Sequence, residues 1–169
     1  SQKKFPACFK EYADMLDWYE PYTQVLDTSN APFWKWFVGG KLNVSYNCVD
    51  RQLAQYAKKP AFIFVPEPEG EADGVLTYQE LYDRVNAVAT LLRDLGLKKG
   101  DRITFHLPMT PELPITMLAC ARLGVIHSQV FGGFSGQACG ARVHEAKSGG
   151  DDGAYENDFE TLTQMRRLI

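Results

Sequence analysis

The sequence lacks the features that would place it among membrane or nucleic-acid-binding proteins. Its apolar segment around residues 115–121 contains Thr116 and is followed by Arg122, whereas a membrane helix needs about 20 apolar residues. Lys and Arg are mixed with acidic residues and the net charge is -3, which predicts no nucleic-acid surface. The first residues, S-Q-K-K-F-P, show no apolar segment of a secretory signal. We therefore expect no membrane and no nucleic-acid partner.

Cysteine is sparse, and its spacing argues against a metal site. Cys8, Cys48, Cys120 and Cys139 stand far apart, with no C-x-x-C pair. Structural zinc sites usually draw on closely spaced ligand pairs, so no metal is expected. Reduced thiols in a cytosolic protein are the simplest interpretation, and we expect a cytoplasmic location.

Sequence motifs of common catalytic sites are also missing. No serine stands in a G-x-S-x-G motif, and no pair of acidic residues can be singled out as catalytic. His106 and His127 fall inside predicted strands and could titrate near neutral pH. Neither has a carboxylate or a second ligand at a meaningful spacing, which favours packing or ordinary hydrogen bonding. His144 is interpreted as a helix-surface residue. No catalytic residue is assigned.

What the sequence does contain is the composition of a globular protein. It has 169 residues, of which 45% are hydrophobic and 23% charged, enough for one core or part of a larger domain. We divide it into an aromatic-rich helical extension (1–60), a partial α/β subdomain (61–147) and a divergent tail (148–169).

The extension should contain two helices and an aromatic cluster. The pattern predicts a helix over 7–17 and a second one capped by Asn47 and ending near Lys58. Trp34, Trp36 and Phe37 form a cluster that could pack in a core or dock another domain. Core packing is the favoured alternative.

The middle region begins with signals for a hairpin and a long helix. Two apolar runs, 61–65 and 75–76, are separated by turn residues and predict paired strands. Thr77 and Glu80 form a capping box, and Gly96 is placed to end the helix. The apolar face of that helix consists of Leu81, Val85, Val88, Leu92 and Leu95.

Helices and strands then alternate, which predicts an α/β fold with a parallel sheet and right-handed crossovers. Strands are expected at 102–107 and 125–130, with a helix ending at Gly124 between them and another from Ser135 to about Lys147. Glu112 is interpreted as a first-turn acid that complements a helix dipole. Arg122 and Arg142 could each reach a phosphate, but surface pairing is favoured for both.

The turn after the second strand, Phe131-Gly-Gly-Phe-Ser135, is the candidate binding site. Open α/β sheets bind ligands at the carboxyl ends of their strands. Two glycines would permit close approach and positive φ, and unpaired amides at the next helix start attract anions. The alternative is a tight turn without a ligand, because G-G-F-S matches neither G-x-G-x-x-G nor G-x-x-x-x-G-K-[ST].

An extended set of segments resembles the amino-terminal part of AMP-forming acetyl-CoA synthetases. The resemblance covers about residues 5–147. It is carried by F-W-K-W-F-V-G-G-K-L-N-V-S-Y-N-C-V-D-R (33–51), L-T-Y-Q-E-L (76–81), L-K-K-G-D-R (97–102), P-M-T-P-E-L-P-I-T-M-L-A-C-A-R-L-G-V-I-H-S (108–128) and V-F-G-G-F-S (130–135). These segments resemble the acetate and short-chain acyl branch of the adenylate-forming superfamily.

The resemblance implies a two-step ligase reaction. Acetate and ATP give acetyl-adenylate and pyrophosphate, with Mg²⁺, and the coenzyme A thiol then displaces AMP. In this family the V-F-G-G-F-S turn contributes to the coenzyme A site. The resemblance therefore assigns Phe131, Gly132 and Gly133, with Phe134 and Ser135 beside them, to the nucleotide end of coenzyme A.

The chain departs from the family pattern after Lys147. The family continues with a strand and an arginine-bearing loop, whereas this sequence reads S-G-G-D-D-G-A-Y-E-N-D-F. The phosphate loop T-S-G-T-T-G-x-P-K-G, the later acidic ribose motif and the domain with the catalytic lysine do not occur in it. We expect an amino-terminal fragment that is inactive alone. Its tail is expected to be a flexible joint, 149–153, followed by an amphipathic helix.

Two other functions stay open. A shortened paralogue could act without catalysis as an interaction module, pairing with itself or with a full-length synthetase through surfaces left bare. A complete small nucleotide-binding domain is the third possibility. The acyl pocket is not readable, so acetate follows only from the branch that the sequence resembles.

Overall fold

The computed structural model describes residues 5–148, and for residue 142 and residues 144–148 it describes the backbone only. The chain forms two compact units, one ending at Arg51 and the other beginning at Gln52. The three-segment organisation inferred from the sequence stays a prediction. The joint and amphipathic helix expected at 149–169 lie outside the described residues.

The first unit contains one small sheet and short helices. Strands β1 and β2 pair antiparallel, with Leu26 opposite Trp36. The second half of the unit is a helix followed by one turn of 3₁₀-helix, Asp50–Gln52. The elements of this unit are α1 (Phe9–Ala13), β1 (Gln24–Asp27), β2 (Lys35–Val38) and α2 (Val44–Cys48).

Helix α1 is shorter than the predicted helix over 7–17, and its end has a visible cause. Trp18 Nε1 donates to the Ala13 carbonyl at 2.8 Å, which occupies the acceptor that a continuing helix would offer to residue 17. The amide of Asp17 instead donates to Asn47 Oδ1, also at 2.8 Å. One local side-chain bond and one long-range bond therefore replace the next helical turn.

The second predicted helix was wrong in its cap and its continuity. Asn43, not Asn47, caps α2, because its Oδ1 accepts from the amide of Tyr46 at 3.1 Å. Asn47 lies inside α2 and is buried. The predicted single helix is divided into α2, the 3₁₀ turn and a four-residue helix that ends at Tyr56.

The aromatic cluster is only partly a core. Phe37 is half-buried and packs against the rings of Trp18 and Tyr22. Trp34 and Trp36 remain 51% and 40% exposed, so the favoured core interpretation is wrong for both. The reason is that a two-stranded sheet leaves part of its aromatic surface without a covering layer in this unit.

The second unit has the predicted order of elements. The hairpin is confirmed, with Ile63 opposite Val75. Both hydrogen bonds of the capping box are present at Thr77 and Glu80. The elements are α3 (Leu53–Tyr56), β3 (Pro60–Phe64), β4 (Gly74–Thr77), α4 (Tyr78–Asp94), β5 (Arg102–Leu107), α5 (Glu112–Leu123), β6 (Ile126–Phe131) and α6 (Gly136–Ser148).

The apolar face of α4 was predicted correctly at three of its five positions, while Val88 is only half-buried and Ala89, which was not predicted, is buried. Leu81, Val85 and Leu92 are buried, whereas Leu95 is exposed because the helix ends at Asp94 and Leu95 is its C-cap. Gly96 follows with φ of 90°, a conformation that glycine adopts without strain.

Strands β5 and β6 are parallel, which confirms the α/β class. They run in register from Arg102 beside Ile126 to Leu107 beside Phe131, and α5 connects them. Helix α5 ends at Gly124, whose φ is 73°. Among the described residues of this unit the buried apolar side chains are Leu76, Leu81, Val85, Ala89, Leu92, Leu113, Ile115, Ala119, Cys120, Val125, Val130, Cys139 and Val143.

None of the helices in the described part of the chain is both long and apolar enough to cross a membrane.

Candidate functional site

The turn from Phe131 to Ser135 lies where both parallel strands end. Leu107 and Phe131 are paired and are the last residues of β5 and β6. All five turn residues are exposed. The structure therefore places this turn at the sheet edge where α/β proteins bind their ligands.

Two amides of the turn have no acceptor. The Phe134 amide closes the turn by donating to the Phe131 carbonyl at 3.0 Å. In the described part of the chain, the amides of Gly133 and Ser135 donate to no protein acceptor, whereas the amide of Gly132 faces the Leu107 carbonyl across the β5–β6 pair. Two backbone donors are thus available to a ligand at the start of α6, where the helix dipole favours negative charge.

Ser135 is the N-cap of α6, as expected. Its Oγ accepts from the amide of Ala138 at 3.3 Å, and its carbonyl accepts from the amide of Cys139 at 3.1 Å. The hydroxyl is therefore engaged with its own helix.

The two glycines do not adopt the positive φ that the sequence suggested. Neither Gly132 nor Gly133 lies in the left-handed region, so that expectation was wrong. A Cβ at Gly132 would lie 3.5 Å from Cα of Pro108, which is an ordinary contact, whereas one at Gly133 would lie 3.2 Å from Cε1 of Phe131, which is tight. Close contact with the Phe131 ring is therefore a reason for glycine at Gly133.

Two aromatic rings lie beside these amides. Phe131 and Phe134 are 53% and 55% exposed, and their rings meet edge to face with centroids 6.3 Å apart. Exposed aromatic faces can stack on a planar apolar group such as a nucleobase. The turn thus combines anion donors with stacking surfaces.

Two side chains of the sheet bind the carbonyls at its edge. His106 Nε2 lies 3.1 Å from the carbonyl oxygen of Phe131. Gln129 Nε2 donates to the carbonyls of Leu107 and Val130 at 3.1 and 2.9 Å. Sequence reasoning expected ordinary hydrogen bonding for His106 and assigned nothing to Gln129. The register of a parallel pair, once known, would have brought both to the turn.

The other singled-out residues have local roles. The His127 ring stacks on Phe105, and burial lowers the pKa of His127. The Thr110 hydroxyl is hydrogen-bonded to Glu112 and lowers the pKa of that first-turn acid. Arg122 contacts Asn86 and lies over the Tyr82 ring, so it pairs on the protein as expected. The side chains of Arg142 and His144 lie outside the described residues.

The thiols and acids of the described chain show no metal-binding arrangement. Cys8, Cys48, Cys120 and Cys139 are unpaired thiols, and burial raises the pKa of Cys120 to about 11, which makes it unreactive. No group of three or more potential ligands occurs in that part of the protein.

Family comparisons cover nearly the whole sequence. Residues 49–149 match the family described as AMP-binding enzyme, and residues 1–48 match the acetyl-coenzyme A synthetase N-terminus. The chain belongs to the AMP-binding enzyme family. The candidate turn lies within the AMP-binding match, and the resemblance to the N-terminal part of acetyl-CoA synthetases is confirmed.

Individual members of the family are identical to this chain at about half of the aligned positions. An acetyl-coenzyme A synthetase of Methanothrix thermoacetophila is 52% identical over 150 residues, which cover 83% of this chain and 22% of that protein. One from Mycolicibacterium smegmatis is 50% identical over 149 residues, or 88% of this chain and 16% of that protein. A propionate–CoA ligase of Escherichia coli is 47% identical over 137 residues, 81% of this chain and 22% of that protein. The chain spans about a fifth of the length of these relatives.

Proposed function

We propose that this chain forms the N-terminal part of an AMP-forming acetate–CoA ligase. In the complete reaction acetate and ATP give acetyl-adenylate and pyrophosphate, and coenzyme A then displaces AMP. The proposal is supported by the two family matches, which together cover residues 1–149. The propionate–CoA ligase is nearly as similar as the acetyl-coenzyme A synthetases, so acetate rests on the match of residues 1–48 to the acetyl-coenzyme A synthetase N-terminus.

Within that reaction, the turn holds the nucleotide end of coenzyme A. The observation that carries this assignment is the pair of free amides at Gly133 and Ser135, beside the exposed rings of Phe131 and Phe134. A phosphate group would accept from the amides, and the rings would cover the base. The Ser135 hydroxyl is hydrogen-bonded within α6, so Ser135 would bind the phosphate through its backbone amide.

The assignment is tested by calorimetric titration of the 169-residue chain with coenzyme A and with pantetheine, which carries the thiol but no nucleotide. We expect coenzyme A to bind and pantetheine to bind at least about tenfold more weakly, because the phosphate contacts are lost. Equal binding of the two compounds would place the contact at the thiol arm and contradict the assignment.

The variant Gly132→Ala gives the matched structural test. Its Cβ meets Pro108 at an ordinary 3.5 Å, so the fold should accept it while the methyl group obstructs the amides. We expect coenzyme A binding to weaken by about tenfold with little change in thermal stability. The control is Gly74→Ala in β4, where a Cβ would meet Phe64 at 3.7 Å, and it should bind like the unmodified chain.

The 169-residue chain should not catalyse the ligase reaction by itself. It contains no T-S-G-T-T-G-x-P-K-G phosphate loop, and phosphoryl chemistry depends on positioned phosphate donors and metal. The described residues offer no cluster of metal ligands for Mg²⁺. Acetate-dependent pyrophosphate release should therefore stay at the level of a blank, and release above it from the pure chain would contradict this part of the proposal.

The unpaired thiols support a cytosolic location.

A second function, an interaction module, is favoured by one observation. Phe33, Trp34 and Trp36 leave a large aromatic surface exposed in the first unit, and surfaces of this kind often mark association sites. Light scattering over a range of protein concentrations tests it. A rise in mass with concentration would support the module, and a monomer throughout would exclude self-pairing.

A further inference from the structure

The carbonyl of Phe131 is the point where the sheet and the turn are joined. It accepts from the Phe134 amide at 3.0 Å and lies 3.1 Å from His106 Nε2. A carbonyl oxygen can only accept, so the second contact requires a proton on Nε2 of His106. With two donors, both lone pairs of this oxygen are used, and its direction is determined from two sides.

The direction of this carbonyl also sets the direction of an amide. The peptide group between Phe131 and Gly132 is planar, and its C=O and N–H point in opposite directions when the bond is trans. Fixing the Phe131 carbonyl therefore also fixes the Gly132 N–H, which faces the Leu107 carbonyl, and with it the start of the turn whose Gly133 and Ser135 amides have no acceptor. This matters because glycine would otherwise let the peptide plane rotate at little cost.

The neighbouring strand end is held in the same way. Gln129 Nε2 bridges the carbonyls of Leu107 and Val130, so the base of the turn cannot shift along the sheet without breaking these bonds. The Nε2–H of His106 therefore donates to a carbonyl of a strand whose end is already held by Gln129. His106 is exposed, so packing does not explain why its ring occupies this position.

We propose that His106 is the positioning residue of the anion-binding turn: its Nε2–H bond to the Phe131 carbonyl holds the end of β6, from which the turn starts, so that the amides of Gly133 and Ser135 are presented to a phosphate group of the bound nucleotide. This rests on the proposed function, since it names how the same turn is prepared for coenzyme A. His106 does not contact the ligand in this role. It lowers the cost of ordering the turn on binding.

The test compares three forms of the 169-residue chain in calorimetric titrations with coenzyme A. His106→Phe keeps a ring and removes the donor, whereas His106→Gln retains an N–H on a side chain of similar reach. We expect His106→Phe to weaken binding by about five- to tenfold, the value of one hydrogen bond and the lost preorganisation. His106→Gln should recover most of that loss. Thermal melting should be nearly the same in all three.

An NMR measurement separates positioning from a general structural effect. The ¹H–¹⁵N signal of Gly132 should move in His106→Phe, return towards its original place in His106→Gln, and leave the α4 signals unchanged. If His106→Phe does not fold, the unmodified chain still decides the matter. Its His106 ring should carry its proton on Nε2 before and during titration with coenzyme A, and a proton found only on Nδ1 would overturn the proposal.

The outcomes distinguish this inference from the proposed function. Binding that is weakened by Gly132→Ala but unchanged by His106→Phe would overturn the role of His106 and leave the coenzyme A site standing. Absence of coenzyme A binding to the unmodified chain would contradict the proposed function, and the role of His106 would fall with it. Weakening by His106→Phe without recovery in His106→Gln would show that an N–H donor at this position does not restore binding, and it would overturn the role of His106.

Discussion

At the scale of single residues, Asn47 connects distant parts of the first unit. Its Oδ1 accepts from the Asp17 amide and from Arg51 Nη1, both at 2.8 Å. Its Nδ2 donates to the carbonyls of Asp17 and Asn43 at 3.0 and 3.1 Å. A buried amide that uses both of its polar ends in this way ties the end of α1 to α2.

Asn47→Ala should destabilise the first unit by about 3 kcal/mol, because four hydrogen bonds are lost and their partners remain near the interior. Trp18, Trp34 and Trp36 are the three tryptophans of the chain, and all belong to this unit. Tryptophan fluorescence during urea denaturation therefore reports on it selectively. Asn30→Ala, at an exposed position, is the control and should change little. Equal stability of the two variants would show that the Asn47 hydrogen bonds contribute little to the stability of the first unit.

At the scale of elements, helix α4 shows how local signals determine a boundary. The Thr77 hydroxyl accepts from the Glu80 amide at 3.3 Å, and Glu80 Oε2 accepts from the Thr77 amide at 2.8 Å. These bonds involve residues three apart, so they depend on no distant contact. The same bonds, with the Thr77 backbone amide as the first cause, lower the pKa of Glu80 below 4.5.

The lowered pKa gives a pH prediction. A carboxyl whose pKa falls on folding stabilises the folded state above its unfolded pKa, and this contribution is lost as the pH drops through the folded pKa. The unmodified chain should therefore be more stable than Glu80→Gln at neutral pH, and the difference should shrink below pH 4.5. Urea denaturation followed by circular dichroism measures it, and subtraction of the variant cancels the other acids. A difference that is constant with pH would contradict the capping-box charge effect.

At the scale of the whole molecule, the two units differ in how much apolar surface they bury. In the described part of the first unit, the buried apolar side chains are Ala13, Leu26 and Val49. Among the described residues, the second unit buries thirteen apolar side chains, four of them on α4 and four on α5. Since apolar burial is the main favourable contribution to folding, the first unit has the weaker core.

We expect the first unit to unfold at a lower urea concentration than the second. Tryptophan fluorescence should change first, and the helical circular dichroism signal, which comes mainly from α4, α5 and α6, should follow. Asn47→Ala should move the fluorescence transition and leave the later one in place. Coincident transitions for both probes would mean that the two units unfold as one.

Elements with local causes were predictable. The capping box at Thr77, the glycine ends at Gly96 and Gly124, and the alternation that predicts β5 and β6 were all read correctly. The first unit was predicted less well, because the Trp18 side chain takes the Ala13 carbonyl and Asn47 bonds to Asp17, a residue distant in sequence. Periodicity contains no information about such bonds.

The family, the α/β class and the place of the glycine turn could be read from the sequence alone, because motifs, caps and hydrophobic spacing act over a few residues. The folded structure was needed to show which amides of the turn are free, that neither Gly132 nor Gly133 has a positive φ, and that His106 reaches the Phe131 carbonyl. These features depend on the register of two strands separated by a whole helix. That register is set when the helix packs and the strands pair, and no short stretch of sequence specifies it.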